Sequence, residues 1–202
     1  MTPAELRARL VALVAGEPLG SVAHGDDMLE TLDAAPVPAA VLVPIILGEA
    51  PSVLLTKRNT HLSRHAGQVS FPGGRIDPHD AGPEAAALRE AAEEIALDPA
   101  RVDVLGRLAD YVTGTGYRIT PVLGTLPPGL AFQPEPREVE AVFELPVSVL
   151  LDPDAPRRER YEVRGRWREY WVWPHPDHFI WGATAAILFH LAQKLRGTGA
   201  VC

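Results

Sequence analysis

Residues Phe71–Leu97 read FPGGRIDPHDAGPEAAALREAAEEIAL, a Gly-Gly turn running into an alanine-rich segment that carries a dense cluster of glutamates. Positions three or four apart share one face of a helix, so a helix here brings Glu90, Glu93 and Glu94 together. Like charges at that spacing repel and weaken a helix unless a cation sits among them. Hard carboxylate oxygens suit magnesium or manganese. An arbitrary EAAEE string is usually a solvated face, but the context here argues otherwise. Arg89 directly precedes the cluster, Phe71–Gly74 turn the chain upstream, and Leu88, Ala91, Ala92 and Ile95 give the helix an apolar side to bury. A helix anchored on one side and acidic on the other is a platform for a ligand.

On either side of this stretch the chain reads as strands. Ala39–Leu47 (AAVLVPIIL) is continuously apolar, Gly48–Pro51 turn, and Ser52–Arg58 (SVLLTKR) is extended again, which predicts two buried strands joined by a turn. Pro44 cannot donate to a ladder, so it predicts an edge position or a bulge. Downstream, Asp98 and Pro99 end the helix, and Val102–Leu108, Tyr111–Thr113, Ile119–Leu126 and Glu138–Phe143 supply further strands. Gly114 and Gly116 mark a flexible loop, and Leu145–Leu151 a short helix or turn.

Between Arg157 and Trp173 the chain (RRERYEVRGRWREYWVW) predicts a hairpin with its tip at Arg164 and Gly165. Val163, Trp167, Trp171 and Trp173 are expected to cover the core with the arginines outside. A solvated hairpin is the default reading over an anion-binding surface, and the aromatic face can instead pair with a second chain to give a homodimer. Ile180–Leu195 has the length and pattern of a buried helix, with His190 packed or at the surface. At the other end Thr2, Pro3 and Glu5 form a capping box that opens an amphipathic helix. Strands before and after one long helix point to an α/β (α+β) layered domain spanning 1–202: an N-terminal helical extension (1–38), a core (39–195) and a flexible tail (196–202).

With 202 residues, 47% hydrophobic and 22% charged, the chain suits one globular domain with a substantial core. Its formal charge of -7 argues against nucleic acid as a partner, because phosphate binding needs a concentrated basic surface. Cys202 is the single cysteine, which rules out an intramolecular disulfide and a cysteine-rich zinc site and fits a reducing, cytoplasmic setting. Glu5, Arg7 and Arg9 interrupt the first apolar segment, and no run approaches about 20 apolar residues, so neither export nor membrane insertion is expected.

Gly74, Asp80, Arg89, Glu90, Glu93 and Glu94 together resemble the signature of the Nudix hydrolases: a glycine, an acidic residue, then Arg-Glu and a Glu-Glu pair on one helix. Asp80 stands where that signature has glutamate, one extra residue separates it from Arg89, and Ala96 replaces a glycine. Leu54–Gly74 (LLTKRNTHLSRHAGQVSFPGG) is similar to the motif of the coenzyme A pyrophosphatase branch, with Ser63 in place of an arginine and Arg64 one position later. Ile119–Gly124, EVEAVFELP and Ile180–Thr184 also resemble that branch, so the likeness covers roughly residues 39 to 195.

The resemblance implies a mixed β-sheet sandwiched between helices and a magnesium- or manganese-dependent enzyme. Its substrate would be coenzyme A or a derivative, cut at the pyrophosphate to 3',5'-adenosine bisphosphate and 4'-phosphopantetheine. By the same resemblance Glu90 and Glu94 hold the metal, Glu93 completes the shell or acts as base, and Arg89 orients a glutamate. Glu138 and Glu140 are the other candidates for the base. Gly73 and Gly74 let the backbone approach metal or phosphate closely. Arg58 and Arg64 are the candidates for the substrate's phosphates, with the arginines of 157–168 behind them, and His61 and His65 are read as structural. Two other readings stand beside this one: a Nudix enzyme acting on ADP-ribose, a dinucleotide or another nucleoside diphosphate derivative, and a Nudix-fold nucleotide-binding module without turnover. The glutamate cluster weighs against the last, since binding alone has no need of such repulsion.

Overall fold

The computed structural model describes residues 1–15, 23–24, 35–62, 65–163 and 166–197. Its spine is β2 (Val37–Ile46), which runs parallel to β8 (Tyr117–Leu126) from Val37 opposite Tyr117 to Ile46 opposite Leu126. The other edge of β2 is shared by two antiparallel partners. β5 (Gly73–Arg75) takes Ala39–Val41, and β3 (Ser52–Arg58) takes Ile45 and Ile46.

Pro44 thus lies in a central strand, not at the edge or bulge its missing N–H predicts. Amide direction alternates along a strand, and the Leu42 N–H donates to Pro72 O at 2.8 Å. The Pro44 nitrogen faces that same side, in the gap between β5 and β3 where no ladder bond is lost.

The sheet is completed by β1 (Ala23–His24), β4 (Val69–Ser70), β6 (Asp103–Arg107), β7 (Tyr111–Val112) and β9 (Val139–Pro146). The order is β1-β7-β8-β2-β3-β4, with β5 beside β2, β6 beside β8 and β9 beside β3.

Side chains alternate across a strand, so β2 feeds two cores. Ala40, Leu42 and Ile46 pack with Leu54, Val122 and Leu126 against α2 (Pro83–Ile95). Val43 and Ile45 pack on the opposite face with Leu55 and Leu123, beneath Leu6 and Leu10 of α1 (Pro3–Val14) and Leu188 and Leu191 of α4 (Gly182–Gly197). The sheet is sandwiched between helices, as expected. The expected capping box opens α1, with Glu5 N–H donating to Thr2 Oγ1 at 3.2 Å and Thr2 N–H to Glu5 Oε2 at 2.8 Å.

The helix α2 ends at Ile95, earlier than Asp98 and Pro99 suggest. Ala96 adopts the left-handed conformation (φ 54°), and the Leu97 N–H returns to Ala91 O at 3.3 Å. This is the place where the family resemblance calls for glycine, and alanine fills it without changing the cap. Asp98 instead caps a short 3-10 turn through the Ala100 N–H at 2.9 Å.

After α3 (Val147–Leu151), β10 (Arg157–Val163) and β11 (Arg166–Trp173) form the expected hairpin, and β12 (Ile180–Trp181) joins it as a third strand. Ile180 and Trp181, expected in the last helix, pair with Trp173 and Val172 instead, and α4 starts at Gly182. The hairpin tip, Arg164 and Gly165, and the tail beyond Gly197 lie outside the described residues.

Trp173 is buried, its Nε1–H donating to Ala185 O at 2.9 Å, and Trp171 stacks on Phe189 with centroids 3.8 Å apart. Trp167 does not cover the core as expected. It shares the face of Trp171 and Trp173 but lies toward the tip, 68% exposed.

Candidate active site

The β5 strand places the glycine turn against the glutamate helix. The face of Gly74 is that of its partner Ala40, the α2 side, and a Cβ there would lie 2.5 Å from the Glu90 carboxylate. Gly73 faces the other way (φ 156°), and a Cβ there would strike the backbone of Ala40 and Val41. Both positions therefore require glycine, one for the carboxylate and one for the strand.

Glu94 is not on an outer acidic face, as the helix pattern suggests. It sits in the seam between α2 and the sheet, 2% exposed, with Oε2 accepting from the Gly73 N–H at 3.2 Å and Oε1 facing Arg58 Nη1 at 3.4 Å. Burial pushes its carboxyl up to about 7 against the pull of Gly73 and Arg58, and the charges of Glu90 and Glu138 add to the rise. Glu90, one turn earlier and 17% exposed, is also raised, chiefly by burial, with Arg89 opposing.

Arg89 is the hub of the cluster. Its Nε and Nη2 form a two-pronged contact with the Asp80 carboxylate, both at 3.0 Å. Its Nη1 donates to Glu90 Oε1 at 3.0 Å and Glu93 Oε2 at 3.2 Å, and Nη2 also reaches Arg75 O at 3.2 Å. The aspartate that departs from the family signature is thus the anchor of Arg89. The arginine's hydrogen bonds, with that of the Asp77 N–H, hold the Asp80 carboxyl below its ordinary range.

The sequence candidates separate in space. Glu90 and Glu94 come together, with Arg58, Gly73, Gly74 and Arg89 around them. Glu93 is 61% exposed and held by Arg89. Glu138 is near enough for its charge to raise both Glu90 and Glu94, and its carbonyl accepts the Asn59 N–H at 2.8 Å, tying it to the end of β3. The Glu140 carboxylate is drawn away to Lys57 Nζ at 2.7 Å. Arg64 lies outside the described residues.

Among the described residues no three acidic, histidine or cysteine side chains stand arranged to enclose a metal ion, and Glu93 is engaged by Arg89. The donor set nonetheless suits a hard cation: two carboxylates one helical turn apart, both largely buried, beside the space that Gly74 leaves open.

On the opposite face of β5, a cavity of about 650 Å³ runs from the glycine turn to α4. Its floor is apolar, with Val41, Val69, Phe71, Ile119 and Ile187, and its rim carries Arg58, His65, Gln68, Arg75, Tyr117 and Trp181. None of the described hairpin arginines lines it. His65, read as structural from sequence, faces this cavity in a left-handed conformation (φ 55°), with Nδ1 2.9 Å from Gln68 Oε1. Arg75, Tyr117 and Trp181 were not among the sequence candidates. The alternation Gly73-Gly74-Arg75 was the available signal, but it becomes readable only once the pairing partner of β5 is known.

A mixed sheet between helices, with a glycine turn set against a largely buried glutamate pair and an open cavity beside it, suits the cleavage of a phosphoanhydride. The NUDIX domain model matches residues 36–189, and the chain belongs to the Nudix family. It is 44% identical over 157 residues to the uncharacterized Nudix hydrolase NudL of Escherichia coli K12, covering 78% of this chain and 82% of that protein. The NudL protein of Shigella flexneri is 44% identical over 160 residues, 79% of this chain and 83% of its own. In fold the chain is similar to the Nudix hydrolase RenU of M. smegmatis (TM-score 0.51, 21% identity, 84% and 91% coverage). It is similar also to the NUDIX domain of Shewanella oneidensis NrtR complexed with ADP ribose (TM-score 0.50, 20% identity, 85% and 95% coverage). The protein is a Nudix pyrophosphohydrolase. Enzymes of this family generally work with divalent metal ions on small-molecule substrates. Among the described residues no helix is long and apolar enough to cross a membrane.

Proposed function

We propose that this enzyme hydrolyses the pyrophosphate bond of coenzyme A or its derivatives, releasing 3',5'-adenosine bisphosphate and 4'-phosphopantetheine or its acylated form. One observation carries the reading. Leu54–Gly74, the stretch that resembles the coenzyme A pyrophosphatase motif, connects the glutamates to the cavity. It supplies Arg58 and the Gly73 N–H to Glu94, and His65, Gln68, Val69, Ser70 and Phe71 to the cavity wall.

In this reading Glu90 and Glu94 hold magnesium or manganese. When bound there, such an ion would supply charge neutralisation at the anhydride and a lowered pKa for an attacking water. The chain's own contributions follow from its geometry. Arg89 fixes Glu90 while Asp80 fixes Arg89, so the carboxylate is oriented before substrate arrives. Arg58 and the Gly73 N–H hold the Glu94 carboxylate in place. Glu93, Glu138 and Glu140 are the candidates for the base; Glu138 is supported by its charge acting on Glu90 and Glu94, whereas Glu140 contacts Lys57.

The test is a hydrolysis screen with each metal over coenzyme A, acetyl-coenzyme A, ADP-ribose, NADH and nucleoside triphosphates, with products weighed by mass spectrometry. Coenzyme A or its thioester is expected to give the highest kcat/KM. A preference for ADP-ribose or NADH would sink the assignment, and binding without turnover of any of them would favour a nucleotide-binding module.

A further inference from the structure

The cavity and the glutamates lie on opposite faces of β5, and only one charged side chain of that strand turns to the cavity. Arg75 pairs with Ala39 and shares its face, whereas Gly74 shares the face of Ala40 and meets Glu90. From there Arg75 reaches across β2 to Tyr117 of β8. Its Nη2 donates to the phenol oxygen at 3.2 Å, and its guanidinium carbon stands 5.8 Å from the ring centroid. Its backbone carbonyl accepts from Arg89, so the same hub that orders the glutamates fixes the position of Arg75.

Seven of the other described arginines are paired. Arg7, Arg58, Arg89, Arg107, Arg118, Arg158 and Arg160 each stand within ion-pair distance of a carboxylate. Among the described residues no such carboxylate stands beside Arg75, nor beside Arg9, Arg101, Arg137, Arg157 or Arg196, but of these Arg75 alone lines the cavity, and its hydrogen-bond acceptor is a phenol. A guanidinium held in place at a cavity rim without a counter-charge is a site for an anion with two oxygens to offer, and a phosphate matches its fork. The anion is not the one being hydrolysed, since that is drawn to the glutamates across the strand. It belongs to the part of the substrate that fills the cavity, where the apolar floor and the rings of Tyr117 and Trp181 suit a nucleoside.

We propose that Arg75 is the specificity-determining residue for a phosphomonoester on the nucleoside half of the substrate. In the coenzyme A reading, on which this identification of the group rests, it is the 3'-phosphate, a role that sequence reasoning gives to Arg58 and Arg64.

The proposal is tested by equilibrium binding of 3',5'-adenosine bisphosphate and of adenosine 5'-monophosphate to the full chain, in wild type, Arg75→Gln and Arg75→Lys. The ratio of kcat/KM for coenzyme A to that for 3'-dephospho-coenzyme A is measured on the same proteins. Wild type is expected to prefer the bisphosphate, and Arg75→Gln to lower both the binding preference and the kinetic ratio about tenfold or more, the size of a lost charge-assisted hydrogen bond. Arg75→Lys keeps the charge without the fork and is expected to lie between. An unchanged preference in Arg75→Gln, equal weakening of both nucleotides, or a wild type without preference would overturn the proposal. A wild type that turns over neither coenzyme A form, yet loses its bisphosphate preference in Arg75→Gln, would support the role of Arg75 while refuting the function it was placed in.

Discussion

The glycine turn with α2 and the β10–β11 hairpin are both dense in charge, and their charges do different things. In the hairpin, Arg158 and Arg160 clamp Glu169 at 2.6 Å, but these side chains are 53%, 70% and 31% exposed. Water competes for every one of those contacts, and the pairing costs side-chain entropy. At the glycine turn the contacts are longer, near 3 Å, yet Glu94 and Asp80 are 2% and 7% exposed and their partners are backbone amides or a many-armed arginine. Burial without full compensation is what perturbs Glu94. Charge density alone therefore distinguishes nothing; what marks the site is carboxylates held where water is scarce.

The widest gap between the two regions is expected from Glu94→Gln. The amide keeps the shape in the seam and removes the charge, so the fold should survive with an unchanged or higher melting temperature, while metal-dependent turnover should fall by about a hundredfold or more. An active variant with normal metal dependence would refute the ligand role and erase the contrast.

The two glycines should fail in different ways. At Gly73 an added Cβ meets the backbone of Ala40 and Val41, which cannot give, so Gly73→Ala is expected to cost about 1–3 kcal/mol of stability, read by denaturant titration. At Gly74 the obstacle is the tip of the flexible Glu90 side chain, so Gly74→Ala should leave stability nearly intact while pushing the carboxylate aside. Activity should drop about tenfold to a hundredfold. The same loss of stability in both variants would mean that Glu90 is more rigidly placed than its contacts indicate.

Arg89→Ala comes next. It should lower stability at neutral pH by about 1.5–3 kcal/mol, the range for hydrogen bonds to charged groups. It should also change the acid limb. Asp80 has its folded pKa depressed by Arg89, so its contribution is present above the unfolded value of about 3.9 and is lost as pH falls through the folded one. Without Arg89 that part of the loss disappears, and the fall in melting temperature below about pH 4 should be shallower than in wild type. An acid limb of unchanged slope would place the anchor of Arg89 elsewhere.

These contrasts also mark what the sequence could tell. The strands and the capping box of α1 follow from periodicity and motif, because they depend on neighbours within a few residues, and the pairing of Arg89 with a glutamate follows from the family resemblance. Pro44, Glu94 and Arg75 do not. The role of each depends on which strand lies beside it, and that is decided by contacts distant in the chain: β5 stops and β3 starts on either side of Pro44, and the Gly73 amide reaches Glu94 across 21 positions. Even the direction of the Glu94 side chain, into the seam, is invisible to a helix pattern that counts glutamate as polar. Trp167 errs in the opposite direction, since its face is right but its place near the hairpin tip leaves it without a covering helix.

The smallest effect is expected in the hairpin, and it tests the contrast from the other side. Whereas Glu90 accepts from Arg89, Glu169 accepts from both Arg158 and Arg160. Its carboxyl is held low by those two arginines in the open, where salt and water screen the same attraction. Glu169→Ala is therefore expected to shift the melting temperature by less than about 2 °C and to leave kcat/KM within about twofold. Raising salt should shrink even that shift, because an exposed pair is weakened by screening while the buried Glu94 contacts are not. A larger loss, or one insensitive to salt, would mean that the hairpin charges are sequestered in the working enzyme, as they would be if this face met a second chain.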